Sequence, residues 1–290
     1  MITGSLVALV TPFRNDAVDY DALRALVRWH IEQGTDGLVP VGTTGESATL
    51  SEDEHRRVVD TVVKEVDGRI PVVAGAGSNN PHEAIAYSNY AAESGADATL
   101  HVAGYYVRPN QKGLLQHFEA VHDATSLPII VYNIPPRAVV DIEPETMGRI
   151  AELPRIVGVK DATGDLTRPL LEAARIDKPF SYLSGEDATA VAYNASGGNG
   201  CISVTANVAP ALCAEMQAAC GKRDYEKAMA IQKKLLPLHI ALFKEPSPAG
   251  AKYAMSLLDF CAPECRLPIT TLCAESKDDI AAAMSGIGLL

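Results

Sequence analysis

The sequence contains no hydrophobic run that approaches the roughly 18 residues a membrane-spanning helix needs. It is also poor in positive charge, since 25 Lys and Arg face 36 Asp and Glu for a formal net charge of −11. Such a chain lacks the basic surface that binds nucleic-acid phosphates. Its start, MITGSLVALVTPF, lacks the basic segment of a secretory signal. We therefore expect a cytoplasmic protein that binds neither membrane nor nucleic acid, and its 47% apolar content predicts a folded core.

Patterns typical of metal sites, disulfides and nucleotide loops are missing as well. The six cysteines include no C-x-x-C pair, and the seven histidines include no H-E-x-x-H motif. We expect reduced thiols and no structural or catalytic metal. The segment Gly75–Gly77 lacks the third glycine of a dinucleotide-binding loop, and neither a Walker A lysine nor a G-x-S-x-G serine is present. These absences predict chemistry without a cofactor.

Eight short runs rich in β-branched residues alternate with helical patterns, and they start 20 to 34 residues apart. This alternation predicts a parallel sheet, and eight units predict a closed (β/α)8 barrel rather than an open sheet. The predicted strands are Leu6–Val10, Gly37–Val41, Pro71–Ala74, Ala98–Val102, Pro128–Tyr132, Ile156–Lys160, Phe180–Leu183 and Gly200–Val204.

After the last predicted strand the pattern is wholly helical. It covers residues 209–220, 224–243 and 249–259 and a stretch near the C-terminus, with no Pro/Gly/Ser linker before it. The fold class we predict is therefore α/β, a TIM barrel with a C-terminal helical extension. We expect the catalytic barrel in residues 1–223 and the extension in residues 224–290.

Lys160 ends an otherwise apolar strand, at the barrel end where ligands bind in this fold. Period-two alternation puts Ile156, Gly158 and Lys160 on one face, so Lys160 is expected to point into the barrel mouth. Burial favours the neutral amine of a lysine, which is the nucleophile that forms a Schiff base with a carbonyl substrate. Alternatively, the side chain simply extends to solvent.

Other polar residues follow neighbouring strands. Tyr132 can exchange protons beside an imine, or it can anchor the barrel by one hydrogen bond. Thr43 and Thr44 offer hydroxyls to a small ligand, or they only cap a helix. Arg137, in a loop with two prolines, offers a bidentate fork for a carboxylate, or it is a surface arginine without a role.

Six segments together carry a family resemblance: VGTTGESATL, YYVRP, YNIPPR, GVKDATGDLTR, LSGED and GGNGCISVTANV. Their order and spacing resemble those of the dihydrodipicolinate synthase family, within the pyruvate-dependent class I aldolases that also include N-acetylneuraminate lyase. The likeness runs from the first residues to LPITTL at 267–272. It implies condensation of pyruvate with L-aspartate 4-semialdehyde to 4-hydroxy-tetrahydrodipicolinate, in lysine (diaminopimelate) biosynthesis.

The resemblance also implies the catalytic groups. Lys160 would form the Schiff base with pyruvate, and Tyr132 would donate and accept protons. Thr43 would link Tyr132 to Tyr106 of a neighbouring subunit. Because Tyr106 can act only across an interface, the resemblance implies a homo-oligomer, usually a tetramer built as a dimer of dimers.

Two sets of ligand-binding residues follow from the same resemblance. Thr44, Gly185 and the backbone of Ile202 would hold pyruvate, and Arg137 would receive the carboxylate of the semialdehyde. A second pocket at the dimer interface would bind the inhibitor L-lysine, unless its residues only hold the dimer together. That pocket would be lined by Ser47, Ala48, His55, Asn79, Glu83 and Tyr105.

Two alternatives to this function stay open from the sequence. One is another pyruvate-dependent aldolase, acting on N-acetylneuraminate or a 2-keto-3-deoxy sugar acid. The other is a barrel that binds pyruvate without turning it over.

Overall fold

Eight parallel strands surround the core of the computed structural model, which describes residues 1–290. The strands of the chain are β1 (Gly4–Ala8), β2 (Phe13–Arg14), β3 (Ala17–Val18), β4 (Gly37–Val39), β5 (Val73–Gly75), β6 (Ala98–Val102), β7 (Ile129–Asn133), β8 (Ile156–Asp161), β9 (Ser181–Ser184) and β10 (Gly200–Ser203). Apart from the hairpin β2–β3, they form one sheet in the order β4-β1-β10-β9-β8-β7-β6-β5. A bridge between Leu38 and Val72 joins its two edges. The predicted (β/α)8 barrel is confirmed.

The first and last barrel strands pair directly. Gly4 lies opposite Gly200, and Leu6 lies opposite Ile202 in the parallel ladder between β1 and β10. A side chain on Gly200 would lie within 2.7 Å of the Gly4 carbonyl oxygen, so this close approach of backbones requires glycine. The N-terminal segment is thereby fastened to a strand nearly 200 residues later.

Helices cover the outside of the barrel. They are α1 (Tyr20–Glu32), α2 (Glu52–Val66), α3 (Pro81–Ser94), α4 (Gln111–Ala124), α5 (Pro135–Ala138), α6 (Pro144–Ala151), α7 (Arg168–Ala173), α8 (Ala190–Ala195), α9 (Pro210–Gly221), α10 (Tyr225–Leu242), α11 (Ala249–Leu257) and α12 (Ala274–Gly286). The capping box of Ser51 and Glu54 starts α2, and Asn80 caps α3 with Pro81 in its first turn. None of the helices is long and apolar enough to cross a membrane.

The last three helices follow the barrel after a short connection at residues 222–224. Helix α10 packs on α9 of the barrel and on α12, and α11 packs on α12. We propose that residues 1–223 and 224–290 are the two structural parts of the chain. The extension shares one continuous hydrophobic cluster with the barrel, including Leu235, Met255 and Ile280, so the two parts fold onto a common core.

Strand β8 departs from simple alternation at its start. The ladder with β7 pairs Ile129 with Ile156 and then Ile130 with Gly158, so one extra residue is accommodated at Val157. Ile156 consequently joins Val159 in the smaller hydrophobic cluster, and Val157 packs against the larger one. The predicted common face of Ile156 and Lys160 is therefore wrong, because the irregularity resets the alternation before Gly158.

The hairpin β2–β3 is an element that the sequence reading missed. Its two turn residues, Asn15 and Asp16, both have positive φ (53° and 63°), as a tight hairpin turn between twisted strands requires. Both are residue types that tolerate this conformation. The hairpin lies beside the C-terminal extension, because the backbone N–H groups of both residues donate to the Glu264 carboxylate.

Candidate active site

Lys160 and Tyr132 lie side by side at the carboxyl ends of adjacent strands. They are direct partners in the ladder between β8 and β7, so their side chains emerge on the same face. The Lys160 Nζ lies 4.3 Å from the centroid of the Tyr132 ring. Both residues are buried, with 7% of Lys160 and 6% of Tyr132 exposed. The amine is therefore held away from bulk water beside a phenol, rather than extended to solvent.

Gly185 leaves the space beside which the Lys160 side chain packs. A Cβ atom placed on Gly185 would lie 3.1 Å from Lys160 Cε and 2.9 Å from Ala162 Cβ, closer than ordinary van der Waals contact. The preceding Ser184 fixes this turn, because its hydroxyl donates to the Glu186 carbonyl and accepts from the Glu186 N–H. Only a residue without a side chain fits against the lysine here.

A tight turn after β4 presents Thr43 and Thr44. Its shape is fixed by the Gly45 and Ser47 N–H groups, which both donate to the Gly42 carbonyl, and by the Glu46 N–H, which donates to the Thr43 carbonyl. Thr44 is buried, whereas Thr43 is exposed. The two neighbouring threonines therefore differ in environment, because Thr44 is enclosed by protein and Thr43 is accessible to solvent.

Ile202 lies in β10, fully buried. The backbone just after it is held by Asp187, whose carboxylate accepts hydrogen bonds from the N–H groups of Val204 (2.9 Å) and Thr205 (3.1 Å). The Ser203 hydroxyl donates to the same carboxylate. These bonds fix the end of β10, where a ligand bonded to the Ile202 backbone would lie.

A cavity of about 540 Å³ opens beside this centre. Thr43 and Arg137 both line it, which brings the exposed threonine and the arginine of the proline-containing loop to one space. Arg137 is exposed and lies in the short helix α5. Lys160 and Tyr132 are not among the lining residues, so this cavity is distinct from the space around the buried amine.

The same cavity reaches the residues expected to bind L-lysine. Those that line it are Ser47, Ala48, His55, Glu83 and Tyr105. Asn79, the sixth, donates from Nδ2 to the Tyr105 carbonyl at 3.3 Å. Burial lowers the pKa of His55 to about 4, so this ring is neutral at pH 7, and it stacks on Tyr87 with centroids 4.0 Å apart.

Tyr106 points away from the site of its own chain. It is 89% exposed, its φ is +66°, and its hydroxyl makes no hydrogen bond within the chain. A positive φ is uncommon for a residue other than glycine. The structure of one chain therefore brings together Lys160, Tyr132 and Gly185, and leaves Tyr106 outside that group.

A buried carboxyl pair lies on the helix side of β8. Burial, and to a smaller extent the neighbouring Asp161 carboxyl, raise the pKa of Glu172 to about 8. Burial also raises the pKa of Asp161, although that carboxylate accepts a 2.8 Å hydrogen bond from the Thr163 N–H. Asp161 directly follows Lys160 in β8, so alternation along the strand turns its side chain to the other face of the sheet, whereas Glu172 lies in α7.

Residues of the C-terminal extension also reach the site, and the sequence reading missed them. Ser247, Pro248, Pro268 and Ile269 line the cavity together with Glu46. These residues of the extension lie more than 100 positions after Arg137. Nothing in their local sequence pattern indicates that they line the same cavity. Lys252, a lone lysine inside an apolar helix, carries the same signal that drew attention to Lys160.

A (β/α)8 barrel whose strand-end lysine lies buried beside a tyrosine has the make-up of a class I aldolase, a lyase that works through a Schiff base. The model of the dihydrodipicolinate synthetase family matches residues 1–287, and the chain belongs to that family.

Individual relatives agree with this placement. The chain is 57% identical to 4-hydroxy-tetrahydrodipicolinate synthase of Roseobacter denitrificans over 290 residues, which is the full length of both. It superposes on the chloride-inhibited dihydrodipicolinate synthase of Acinetobacter baumannii complexed with pyruvate with a TM-score of 0.98, at 41% identity and full coverage of both chains. The enzyme of Cyanidioschyzon merolae with lysine bound is similar with a TM-score of 0.96 and 35% identity, over 100% of this chain and 99% of that one.

Proposed function

We propose that this protein condenses pyruvate with L-aspartate 4-semialdehyde to give 4-hydroxy-tetrahydrodipicolinate, a step of lysine biosynthesis. The observation that carries the proposal is the buried pair of Lys160 and Tyr132 with Gly185 against the lysine Cε. The family and the names of its relatives support the choice of both substrates.

The first half of the reaction joins pyruvate to the enzyme. The nitrogen lone pair of Lys160 attacks the pyruvate keto carbon, a C–N bond forms, the carbonyl oxygen takes a proton, and the nitrogen gives up one of its two protons to leave a carbinolamine. The hydroxyl then takes a second proton and leaves as water, which yields the protonated imine. Thr44, Gly185 and Ile202 would hold pyruvate, and the backbone of Ile202 would offer hydrogen-bonding groups to its carboxylate.

Each of these steps moves a proton, and Tyr132 is the group beside the amine. A phenol held there can give a proton to the departing hydroxyl and take one back. Thr43, exposed at the barrel mouth, would link it to Tyr106 of the partner subunit. The exposure of this chain's own Tyr106 supports a paired arrangement in which each chain lends that residue to the other.

The second half forms the carbon–carbon bond. The protonated imine loses a methyl proton to become a neutral enamine, whose carbon attacks the aldehyde while the aldehyde oxygen takes a proton and the protonated imine forms again. The substrate's own amine then replaces Lys160 at the imine carbon, which closes the ring and frees the lysine. Arg137 would hold the carboxylate of the semialdehyde, because its guanidinium offers a bidentate fork and the residue lines the same cavity as Thr43.

We propose a homotetramer built as a dimer of dimers. Besides Tyr106, the exposed apolar residues Val107, Leu170 and Leu171 leave surface for contact with other copies. Mass measurement in solution would test this: a chain that stays monomeric at working concentration while fully active would contradict the shared Tyr106.

We also propose that L-lysine inhibits the enzyme by binding where Ser47, Ala48, His55, Asn79, Glu83 and Tyr105 meet. Glu83 can pair with an ammonium group, and Asn79 and Tyr105 can hydrogen-bond a carboxylate. Glu52, near this pocket, is paired with Arg56 at 2.5 Å, so its charge is already compensated. Initial rates with and without millimolar L-lysine test this, and unchanged rates would leave these residues with a purely structural role.

One preparation can test the main proposal. Borohydride added with pyruvate should leave one reduced pyruvyl group per chain, found by intact mass, and Lys160→Ala should remove it. The same preparation is then assayed for condensation with aspartate semialdehyde and for cleavage of N-acetylneuraminate. Trapping with cleavage but no condensation would favour the sugar-acid aldolase, and trapping without either would favour a barrel that only binds pyruvate.

A further inference from the structure

A buried ion pair connects the C-terminal extension to the turn that carries Thr43 and Thr44. Lys252 of α11 is completely buried, and its Nζ lies 2.5 Å from Oε1 of Glu46. Glu46 is itself only 6% exposed and follows Thr44 by two residues. The mechanism described above uses neither residue, although each carries a charge removed from water.

Two further contacts complete this connection. The second carboxylate oxygen of Glu46 accepts a 2.9 Å hydrogen bond from the Arg266 backbone N–H. The Lys252 ammonium also donates to the Glu264 carbonyl at 2.7 Å. Lys252 and Arg266 both lie over the Phe13 ring, 3.9 and 4.4 Å from its centroid. Both oxygens of the Glu46 carboxylate are thus held by the extension.

The turn needs such an anchor, because its backbone is not relaxed. Val41 and Glu46, on either side of Gly42–Gly45, have φ of +49° and +56°, and for a β-branched residue this region is a genuine outlier. A conformation of this kind persists only where the surroundings hold it. Inside the turn, the Gly45 carbonyl accepts a 2.7 Å hydrogen bond from the Thr11 hydroxyl. The Glu46 side chain holds the same turn at the residue that follows Gly45.

We propose that Glu46 is a positioning residue of the active site, through which Lys252 and Arg266 of the C-terminal extension set the place of the Thr43 and Thr44 hydroxyls. The inference rests on the proposed function, since it assigns those hydroxyls to the proton relay and to pyruvate. Glu46 touches neither substrate nor reacting atoms, and acts only through the turn.

Stability alone does not account for the pair. A buried ion pair can often be replaced by two apolar residues without loss of stability, because removal of both charges also removes their desolvation cost. A pair that served only the fold could therefore be replaced at little cost. The position of this one, two residues from Thr44, points instead to geometry at the site.

The experiment separates these roles with a neutral double variant. Glu46→Leu with Lys252→Met removes both charges, and we expect a Tm within a few degrees of the native chain. The rate of borohydride trapping at saturating pyruvate, and kcat for condensation, should both fall by at least tenfold. Glu46→Gln keeps the acceptor for the Arg266 N–H, so a smaller loss, of a few fold, is expected. Glu46→Gln is the conservative variant, and its trapping rate and kcat should lie between those of the double variant and those of the native chain.

A matched control removes a cation from the same extension. Lys244 pairs with Glu275 and Asp279 on the surface and has no ion pair to the turn, so Lys244→Met should leave trapping and kcat unchanged. A folded double variant with native rates would overturn the proposal, and if the double variant does not fold, native rates in Glu46→Gln would do the same. A native chain that traps pyruvate but does not condense it with the semialdehyde would refute only the choice of aldehyde, because trapping still measures the turn. A native chain that traps no pyruvate would overturn both the proposed function and the positioning role of Glu46.

Discussion

Substitution of Gly185 by alanine tests how tightly the site holds its lysine. The added methyl would meet Ala162 Cβ at 2.9 Å, and Asp161 O and Lys160 Cε at 3.1 Å each. Carbon atoms in ordinary contact are about 3.5–4.0 Å apart, so the neighbours must give way by roughly half an ångström or more. The first two atoms are fixed to the backbone of β8 and the residue after it. The flexible Lys160 side chain is therefore the one that moves.

We expect Gly185→Ala to lower both the stability of the fold and the rate of the reaction. Overpacking of this kind costs about 1–3 kcal/mol of stability. A misplacement of about 1 Å can cost about a hundredfold in rate, so for the smaller shift here we expect a loss of roughly ten- to a hundredfold. The assay is the rate at which borohydride traps pyruvate on the enzyme, followed by intact mass, together with Tm and kcat.

Gly221→Ala is the matched control. Gly221 ends α9, has no neighbouring atom within 4 Å of an added Cβ and does not need positive φ, so its replacement should be neutral or stabilise by up to about 1 kcal/mol. If Gly185→Ala traps pyruvate as fast as the native chain, the contact with Lys160 does not constrain the amine, and our reading of this glycine is wrong.

Three further outcomes follow from the same geometry. Tyr132→Phe should keep the fold and lose about 10²–10⁴-fold in kcat, and a loss below tenfold would remove Tyr132 from proton transfer. Arg137→Ala should raise KM for the aldehyde while pyruvate is still trapped, and a defect confined to pyruvate would contradict the assignment. Glu172→Gln should flatten the pH dependence of stability. A carboxyl with a pKa of about 8 in the folded chain and 4.5 unfolded binds more protons when folded, so its native stabilisation is present below pH 4.5 and is lost as pH rises towards 8. Thermal melts at pH 5 and 8 measure this, and equal slopes for native and variant chains would refute it.

The sequence predicted the barrel well because each strand is a short apolar run with its own boundaries. Ala98–Val102 agrees to the residue, and the others differ by one or two residues at their ends. The face of Ile156 was mispredicted because the irregularity at Val157 depends on how β8 meets β7. The register between two strands cannot be predicted from the sequence of either strand alone.

The candidate active site was likewise predictable only in part. The neighbourhood of Lys160 and Tyr132 was predictable, because both end consecutive barrel strands and such ends must meet. The approach of Lys252 to Glu46 was not, because it depends on how the extension folds back across the barrel over 200 residues. The hairpin after Phe13 was missed for a related reason, since Asn15 and Asp16 give only a weak turn signal, and the bonds to Glu264 help to hold it.

The bond between Arg266 and the Thr49 carbonyl joins residues 217 positions apart, and this separation has a consequence for synthesis of the protein. A ribosome that adds about 5–20 residues per second needs roughly 2–9 s to pass from Asp224 to Arg266. During that time all eight barrel strands have been made, while the Glu46 carboxylate still lacks Lys252 and Arg266. The newborn chain can thus close its barrel seconds before the turn at Gly42–Gly45 has its final partners, because the segment that supplies them is translated after all the barrel strands.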